Sequence, residues 1–495
     1  MNRKPLSVLL MAVLSGCSFA PHYARPATSA PANWKPVDGW QPAQPADQAP
    51  RGDWWTLFND PILNDLIVRA NTHNNTLLQA AATYRQAHAT TAAARANLFP
   101  TIGTTGQVTH TVSGGSRTIV NGGVTSGGNS RTSDNYTLNL TGSWTPDLFG
   151  SVRNAISNDK ATEQAQLANL AAGRLALQGE LASDYLSLRA ADAELVSLAQ
   201  TVKEFQHALE VSTNQYNAKI VAHSDVWQAQ SQLYSAQSQY EGQKQTRAQF
   251  EDAIAVMVGE NPATFHIEPA VADWAPVTPD VPLTVPSTLV QRRPDIAAAE
   301  RQVAAANAEI GVARAAFFPS LGLSGSGGFN NNNLANLVSA SALLWSLGAQ
   351  VSETLIDFGA RSAKVREMRA AYDAAVANYR EVTLTAFQGV QDNLAATIIL
   401  ARQEKLLRDA SDAADKSARA LLQQYEAGTI DYTSVATAQA TALQARVALI
   451  QNQLDRQNAA VALIQALGGG WEAADIVNGK EAARAAELKA AQPYK

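Results

Sequence analysis

The chain has 495 residues, a formal net charge of −5 and 16% charged residues, where soluble proteins usually have roughly a quarter. No basic block accompanies this weak negative charge, which argues against nucleic acid as a partner. The 7 histidines form no pair or cluster with metal-ligand spacing, and no nucleophile motif is present. We therefore predict no metal site, no cofactor site and no enzymatic activity.

The N-terminus has the order of an export signal. Arg3 and Lys4 precede the apolar run PLSVLLMAVL, which is too short to cross a membrane as a helix, and LSGC follows with the only cysteine, Cys17. This order resembles the lipobox of bacterial lipoproteins. It predicts a signal peptide at residues 1–16 and covalent diacylglycerol and N-acyl chains on Cys17. Ser18 stands where an aspartate would favour inner-membrane retention, so an outer-membrane address is predicted. The alternative is an incidental thiol after an ordinary signal peptide.

A lipidated, Pro/Trp-rich tether is predicted at residues 17–59, and a helical pattern runs from near Pro61 to Phe99. The pattern ends in ARANLFPTIG (94–103), which returns almost unchanged as ARAAFFPSLG (313–322). Further matching segments show that most of the chain is duplicated. The duplication predicts a first repeat at 60–285, a second repeat at 286–470 and a C-terminal tail at 471–495.

Between the Phe-Pro and Phe-Gly marks of each repeat, the apolar period changes from helical to two. NYTLNLTGSW (135–144) places apolar residues on one face and small polar residues on the other, and three other segments do so less cleanly. Such segments resemble strands of a membrane β-barrel. Membrane hairpins are predicted at about 101–145 and 320–356, with soluble surface hairpins as the alternative. The predicted junction residues between helix and strand are Phe99, Pro100, Phe149, Gly150, Phe318, Pro319, Phe358 and Gly359.

Two long helical hairpins are predicted, at about 151–258 and 360–467. In the first of them, apolar residues recur every seven positions from Leu181 to Tyr216, which is coiled-coil patterning. In both repeats a long outgoing helix is followed by a short break, at 219–224 and 428–433, and by a shorter return helix.

The number of predicted strands has a consequence for assembly. Two hairpins give four strands, whereas the smallest closed membrane barrels have about eight. Unpaired strand edges are not tolerated in lipid, so a barrel must be shared between copies of the chain. A dimer gives eight strands and a trimer gives twelve, and only the larger barrel leaves a useful lumen.

The segment RRPDIAAAERQVAAANAEIGVARAAFFPSLGLSG (292–325), with LSGCSFAPHYARP, DPILNDLI and the paired QYxA turns, resembles the TolC-like outer-membrane factors of tripartite efflux systems. The resemblance is strongest to their NodT-type lipoprotein branch and covers essentially the whole mature chain. It implies a mainly α fold with membrane β structure. The implied homotrimer forms a 12-strand outer-membrane β-barrel continuous with a 12-helix periplasmic α-barrel. An equatorial mixed region includes the C-terminal tail, unless that tail is disordered.

The function that the resemblance implies is passive conduction. The protein would be a lipid-anchored exit duct of the bacterial outer membrane that extends into the periplasm. It would receive small toxic compounds or drugs from an inner-membrane RND-type transporter through a periplasmic membrane-fusion adaptor. Two alternatives stay open, namely the outer-membrane duct of a type I protein secretion system and a non-conducting, lipid-anchored coiled-coil protein.

The resemblance also implies that the tunnel closes at the tips of the helical hairpins and that the adaptor binds there. The implied aperture residues are Tyr216, Asp225, Tyr425, Asp431, Ser434 and Thr437. The implied adaptor-binding residues are Ala218, Lys219, Ile220, Val221, Ser224, Ala427, Gly428, Thr429, Ile430 and Thr433. The best-known family pattern has charged residues at the positions of Ile430, Ser434 and Thr437. Fewer charges are therefore expected to close this aperture, with Asp225 and Asp431 as carboxylates and with Tyr216 and Tyr425 as hydrogen-bonding walls.

Overall fold

The computed structural model describes residues 19–28, 34–35, 53–114, 117–120, 123–126, 131–270, 274, 276–279, 281, 292–471, 476, 479, 482–484 and 488. For 117–120, 123–126 and 131 it describes the backbone. The predicted signal peptide, Cys17, and most of the predicted tether and C-terminal tail lie outside the described residues. The chain divides into two units. The strand unit comprises 1–26, 86–163 and 301–376, and the helical unit comprises 27–85, 164–300 and 377–495.

The long helices that the sequence predicts are present. In chain order the helices are α1 (Pro61–His73), α2 (Asn75–Ala96), α3 (Ser151–Asn217), α4 (His223–Met257), α5 (Pro294–Ala315), α6 (Ala360–Glu426) and α7 (Tyr432–Ala466). The outgoing helices α3 and α6 have 67 residues each, which corresponds to about 100 Å, and the return helices α4 and α7 have 35 each. Among the described helices, none combines the length and the hydropathy that a membrane-spanning helix requires.

The helical pattern that was predicted as one run from Pro61 to Phe99 is two helices. Asn74 separates them: its side-chain oxygen accepts a hydrogen bond from the Leu77 amide at 3.0 Å, and its side-chain nitrogen donates to the carbonyl of Met257 at 2.9 Å. An asparagine that bonds the amide three residues ahead caps a new helix, which periodicity alone does not reveal. The second helix ends at Ala96, before Pro100.

Four antiparallel strands of the strand unit form one sheet. In chain order, the described strands of both sheets are β1 (Thr101–Ser113), β2 (Arg117–Val120), β3 (Gly123–Ser126), β4 (Arg131–Trp144), β5 (Ser320–Asn331) and β6 (Leu343–Ser352). Strands β2 and β3 form a separate pair. The order of the large sheet is β1-β4-β5-β6, so β4 of the first repeat pairs with β5 of the second, and the two predicted hairpins are joined.

The segment between β1 and β4 contains two short strands that were not predicted. Strands β2 and β3 pair with each other, with Val120 opposite Gly123. The available signal was the Asn-Gly dipeptide at 121–122 between two short β-prone runs, which favours a tight hairpin.

Each return from strand to long helix is built around an Asp–Arg pair that the sequence analysis did not single out. Asp147 accepts hydrogen bonds from the amide and the Nε of Arg153, at 2.9 and 3.0 Å. Asp357 does the same for Arg361, at 3.1 and 2.6 Å, and the Arg361 side chain and backbone bonds hold the pKa of Asp357 at about 2. Gly150 lies between Asp147 and Arg153 and has a φ of 79°, and Gly359 lies between Asp357 and Arg361 and has a φ of 92°. Both values lie in the left-handed region, which favours glycine.

The core of the helical unit lies where the short helical segments meet the middle of α3. Trp54 and Phe58 of a short 3-10 helix, with Leu63 and Ile67 of α1, are buried in one cluster with Leu181. Leu188 of α3, Ile254 of α4 and Val461 of α7 complete the cluster, which matches the apolar spacing seen in the sequence.

A buried ionic network links α3, α4 and the segment that follows α4. Asp192 is 2% exposed and lies 3.0 Å from Arg189 and 2.6 Å from Arg247, and it also accepts the amide of Ala270 at 3.1 Å. Arg247 further contacts Glu251 at 3.0 Å. Asp192 is the carboxylate that the two guanidinium groups share, and it therefore links Arg189 to Arg247 and Glu251.

Asp184 gives the helical unit a pH dependence. It lies half-buried on α3, and burial, followed by the charge of Glu180, raises its pKa to about 6. An unfolded aspartate titrates near 3.9. The folded state therefore binds the proton more tightly, and stability is lost as pH rises from about 4 to 6.

We expect Asp184→Asn to stabilise the protein above pH 6 by about 1 kcal/mol, because a half-exposed group feels only part of the full shift. Below pH 4 the variant and the wild type should have equal stability. Thermal midpoints of the helical circular dichroism signal at pH 4 and pH 7.5 measure this. A gain of the same size at both pH values would contradict it.

Candidate functional site

The turns at the tips of the two helical hairpins have the same backbone geometry. In the first, Lys219 has a φ of 60° and the Ile220 amide donates to the carbonyl of Gln215 at 2.9 Å. In the second, Gly428 has a φ of 71° and the Thr429 amide donates to the carbonyl of Gln424 at 3.0 Å. Both are left-handed helix ends, and the first tip places a lysine where glycine is favoured.

The two tips differ in how the return helix begins. Asp431 caps α7 by accepting the amide of Ser434 at 2.8 Å, and the backbone and side chain of Ser434 lower the pKa of Asp431. At the first tip the capping position of α4 is Ala222, which has no side-chain acceptor. Asp225 instead accepts from the neighbouring Ser224 hydroxyl at 3.2 Å. Asp431 is therefore engaged in a helix cap, whereas Asp225 has the freer carboxylate.

Tyr425 is buried between the two helical hairpins. It is 1% exposed, and its ring packs 5.6 Å from that of Tyr432 in a small apolar cluster with Val435, where Ile430 also packs. Burial raises the pKa of Tyr425, partly offset by the Ser212 hydroxyl. In the single chain the Tyr425 side chain lies between the hairpins, with its hydroxyl 2.9 Å from that of Ser212. Its role as a hydrogen-bonding wall of the aperture stays a prediction.

The hairpins are joined at the tips by a set of contacts that we call the tip latch, formed by His207, Ser212, Gln215, Tyr425 and Glu426. The hydroxyls of Ser212 and Tyr425 are 2.9 Å apart, and the Gln215 side-chain nitrogen donates to the Tyr425 carbonyl at 3.0 Å. His207 Nε2 lies 2.9 Å from a carboxylate oxygen of Glu426. The tip latch joins α3 to α6. The sequence analysis missed it because its members are about 210 residues apart in the chain.

The remaining predicted tip residues lie at the surface of the helical unit. Tyr216 is 40% exposed and its ring centroid is 4.7 Å from that of His223, which in turn is 4.4 Å from that of the exposed Trp227. The exposed tip residues are Ala218, Lys219, Ile220, Ser224, Ala427, Gly428, Thr429, Thr433 and Thr437. The half-buried ones are Val221, Asp225, Ile430 and Ser434. His223 and Trp227 were not predicted as surface features of this tip.

The large sheet of the strand unit has one apolar and one polar face. The pairing places Thr101 opposite Ser143 and Ser326 opposite Ser346 on one face, whereas Leu138 lies opposite Phe329 on the other. The apolar face is exposed in the single chain and includes Ile102, Val108, Leu138, Leu140, Trp345, Leu347 and Val351. The polar face comprises mainly Ser, Thr, Asn, Gln and Gly.

At the junctions of the strand unit, aromatic rings and the N-terminal segment come together. Phe318 stacks between Phe149, at 5.0 Å, and Phe19, at 4.2 Å. The carbonyl of Phe19 accepts a hydrogen bond from Arg314 at 3.1 Å, and that of Pro21 from Asn307 at 2.9 Å. The first described residues after Cys17 are thus held along α5.

The other two junction phenylalanines are exposed. Phe99 is 68% exposed and Phe358 is 100% exposed in the single chain. Phe99 precedes Pro100, and Phe358 precedes Gly359. Because the side chains of Phe99 and Phe358 are exposed, they contact this chain's own core less than those of Phe149 and Phe318 do. Among the described residues, no group of three or more His, Cys, Asp and Glu side chains could hold a metal ion.

A family model described as outer membrane efflux protein matches the chain twice, over residues 66–260 and 285–469. The two matches confirm the internal duplication.

The chain is similar to several known proteins over nearly its full length. The toluene efflux pump outer membrane protein TtgC of Pseudomonas putida is 30% identical over 478 residues, covering 95% of this chain and 96% of that protein. The outer membrane protein OprJ of Pseudomonas aeruginosa is 30% identical over 479 residues, covering 95% and 97%. The solved structure of the outer-membrane channel OprN matches with a TM-score of 0.81 at 28% identity, covering 92% of this chain and 100% of that one.

Proposed function

The chain belongs to the outer membrane efflux protein family, and from this we propose that it is the outer-membrane exit duct of a tripartite efflux pump. It conducts small compounds passively to the outside. An inner-membrane RND-type transporter supplies them through a periplasmic adaptor that binds the hairpin tips. The family is one of channels, and conduction needs no catalytic residue. The observation that carries the proposal is the two-faced sheet, which has the pattern of a membrane barrel wall.

The sheet also supports assembly from several copies. In the part of the chain that the structure describes, β1 and β6 form the two edges of the large sheet. Exposed edges next to an apolar face cannot remain unpaired in lipid. Pairing β6 of one copy with β1 of the next extends the sheet, and three copies give a barrel of about twelve strands with an open lumen. The unpaired edges support a shared barrel, and the number of three copies comes from the family to which the chain belongs.

The solute class follows from the relatives. TtgC is named for toluene, and a passive duct accepts what its transporter delivers. Small apolar or amphipathic toxic compounds are the proposed cargo. Deleting the gene should sensitise cells to toluene-like solvents and to drugs, and the intact chain should restore growth.

Conduction is the direct test of this function. Purified full-length protein in planar bilayers should form channels. A preparation that inserts into bilayers but never conducts would support the non-conducting, lipid-anchored alternative and contradict the duct.

Lipidation of Cys17 is part of the proposal, although Cys17 itself lies outside the described residues. It is supported by the position of Phe19, two residues further on, which stacks on Phe318 beside the start of β5. An anchor at this position holds the acyl chains next to the predicted membrane surface, where each buried methylene contributes about 0.8 kcal/mol.

Replacing Cys17 with serine is therefore expected to abolish incorporation of a labelled fatty acid, because no other cysteine can accept the lipid. Ser18→Ala is the matched control and should be labelled like the wild type. The measurement is fluorescence of the purified protein after growth with an alkyne fatty acid. Labelling of the Cys17→Ser variant at the wild-type level would contradict the lipid anchor.

A further inference from the structure

We propose that the strand-built part of the duct does not discriminate between solutes by the sign of their charge, because its lumen is lined by neutral hydroxyl, amide and glycine residues. The inference rests on the proposed function, since it requires that the polar face of the sheet faces a water-filled lumen.

The register of the sheet assigns every strand residue to one face. Directly paired residues of an antiparallel sheet lie on the same face. The pairs Thr101–Ser143, Ser143–Ser324 and Ser326–Ser346 therefore form continuous rows across the strands. The hydroxyls of the first and third pairs are each 2.8 Å apart.

The polar face of the sheet carries a hollow. It is lined mainly by polar-face residues of all four strands, including Thr101, Thr141, Ser324, Ser326 and Ser346. A sheet that closes into a barrel is concave toward the inside. The hollow and the polar lining both fit this face as the lumen.

The charged residues of the described sheet lie off this face, except for Arg131, which the register assigns to it at the end of the sheet, opposite Ser113. His110 and Asp134 face each other on the apolar side at the far ends of β1 and β4, with His110 Nδ1 2.6 Å from an Asp134 oxygen. Arg131, the first residue of β4, has no described side chain and lies at the end of the sheet beyond this pair. Between Thr101 and Thr111, and on the strand stretches paired with them, the described polar face carries no charge.

A neutral wall of hydroxyls has a physical consequence. Pores select ions with rings of charged side chains, which concentrate solutes of opposite charge. Hydroxyl groups donate and accept hydrogen bonds equally well, so they hydrate cations, anions and neutral molecules alike. Such a wall suits a duct whose cargo is chosen at the transporter.

Charged thiol reagents test the wall locally. The test uses full-length Ser346→Cys, with Leu347→Cys as the matched control on the opposite face of the same strand. A cationic and an anionic methanethiosulfonate are added from the side of the β1–β4 loop. Reaction is followed by the change in single-channel conductance, and each rate is divided by the rate of the same reagent with a free thiol.

We expect the thiol of the Ser346→Cys variant to react with both reagents at corrected rates within about threefold of each other, and that of Leu347→Cys with neither. A bias of about tenfold toward one charge would overturn the inference, since fixed charges concentrate counter-ions by that factor or more. Reaction at position 347 and not at 346 would overturn the assignment of the faces. Gln350→Cys and Val351→Cys form a second pair if the first does not assemble. Absence of channels in the wild type contradicts the proposed function itself, so the two failures are distinguishable.

Discussion

Replacing Asp192 with alanine is expected to lower the free energy of unfolding by about 3–5 kcal/mol, the largest effect of any single substitution considered. The buried Arg189 loses its described carboxylate partner, and the buried Arg247 keeps only Glu251. Asp192 is 2% exposed, and Arg189 and Arg247 are each 8% exposed, so water cannot replace the lost carboxylate without opening the core. The amide of Ala270 would lose its acceptor as well.

The loss of Asp192 should also destabilise the segment that follows α4, because the same two arginines bind that segment. Arg189 donates to the carbonyl of Glu268 at 2.9 Å and Arg247 to that of Ile267 at 2.6 Å, so the segment after α4 is held by the same two side chains. We expect this segment to become accessible to protease in the Asp192→Ala variant, ahead of the helices.

A surface ion pair on α1 provides the control. Asp65 lies 3.4 Å from Arg69 and its side chain is 65% exposed, so Asp65→Ala should change stability by less than about 1 kcal/mol. Denaturation in detergent, followed by helical circular dichroism, compares the two variants. Equal stability of Asp192→Ala and Asp65→Ala would contradict the role of Asp192.

Removing the α3 side of the tip latch is expected to open the duct. In the triple variant His207→Ala, Ser212→Ala and Gln215→Ala, the hairpins lose the hydrogen bonds that join Tyr425 and Glu426 to α3. Together these bonds contribute about 1.5–3 kcal/mol, with the exposed His207–Glu426 pair contributing least. The ratio of open to closed tips should then rise roughly 10- to 100-fold.

Uptake of a large antibiotic that the outer membrane normally excludes measures this opening. Asp225→Ala is the matched control, because the described hydrogen-bond partner of Asp225 is the neighbouring Ser224 on the same helix. It should raise uptake far less than the triple variant. If Asp225→Ala leaked more than the triple variant, the aperture carboxylate would be the dominant restraint and the tip latch a minor one.

Periodicity predicted the parts of the fold that depend on local sequence. Helices α3 and α6 end close to the predicted breaks at 219–224 and 428–433, because the end of a helical pattern is a local feature of the sequence. Alternation identified β1, β4, β5 and β6, since each has one apolar and one polar face. The pairing of β4 with β5 joins the two repeats. It could not be predicted from the pattern of either strand, because it depends on contacts between segments far apart in the chain.

The details that the sequence did not reveal are those that depend on contacts between distant segments. Tyr425 is followed by polar, exposed residues, and only the packing of Tyr432 and Val435 against it shows that it is buried. Asp192 is one acidic residue among many on α3, and only its contact with Arg247 distinguishes it. Asn74 was hidden in a continuous helical pattern, because its capping role depends on its bonds to Leu77 and Met257.

If identical copies of the chain complete one duct, the mass of the assembled particle must be a multiple of the mass of the chain. Native mass spectrometry of the full-length protein, extracted from outer membranes in mild detergent, counts the copies, each with an unprocessed mass of 52.5 kDa. We expect particles that contain three copies and no stable smaller species. Particles that contain one copy, with the edges of β1 and β6 unpaired, would contradict the shared duct.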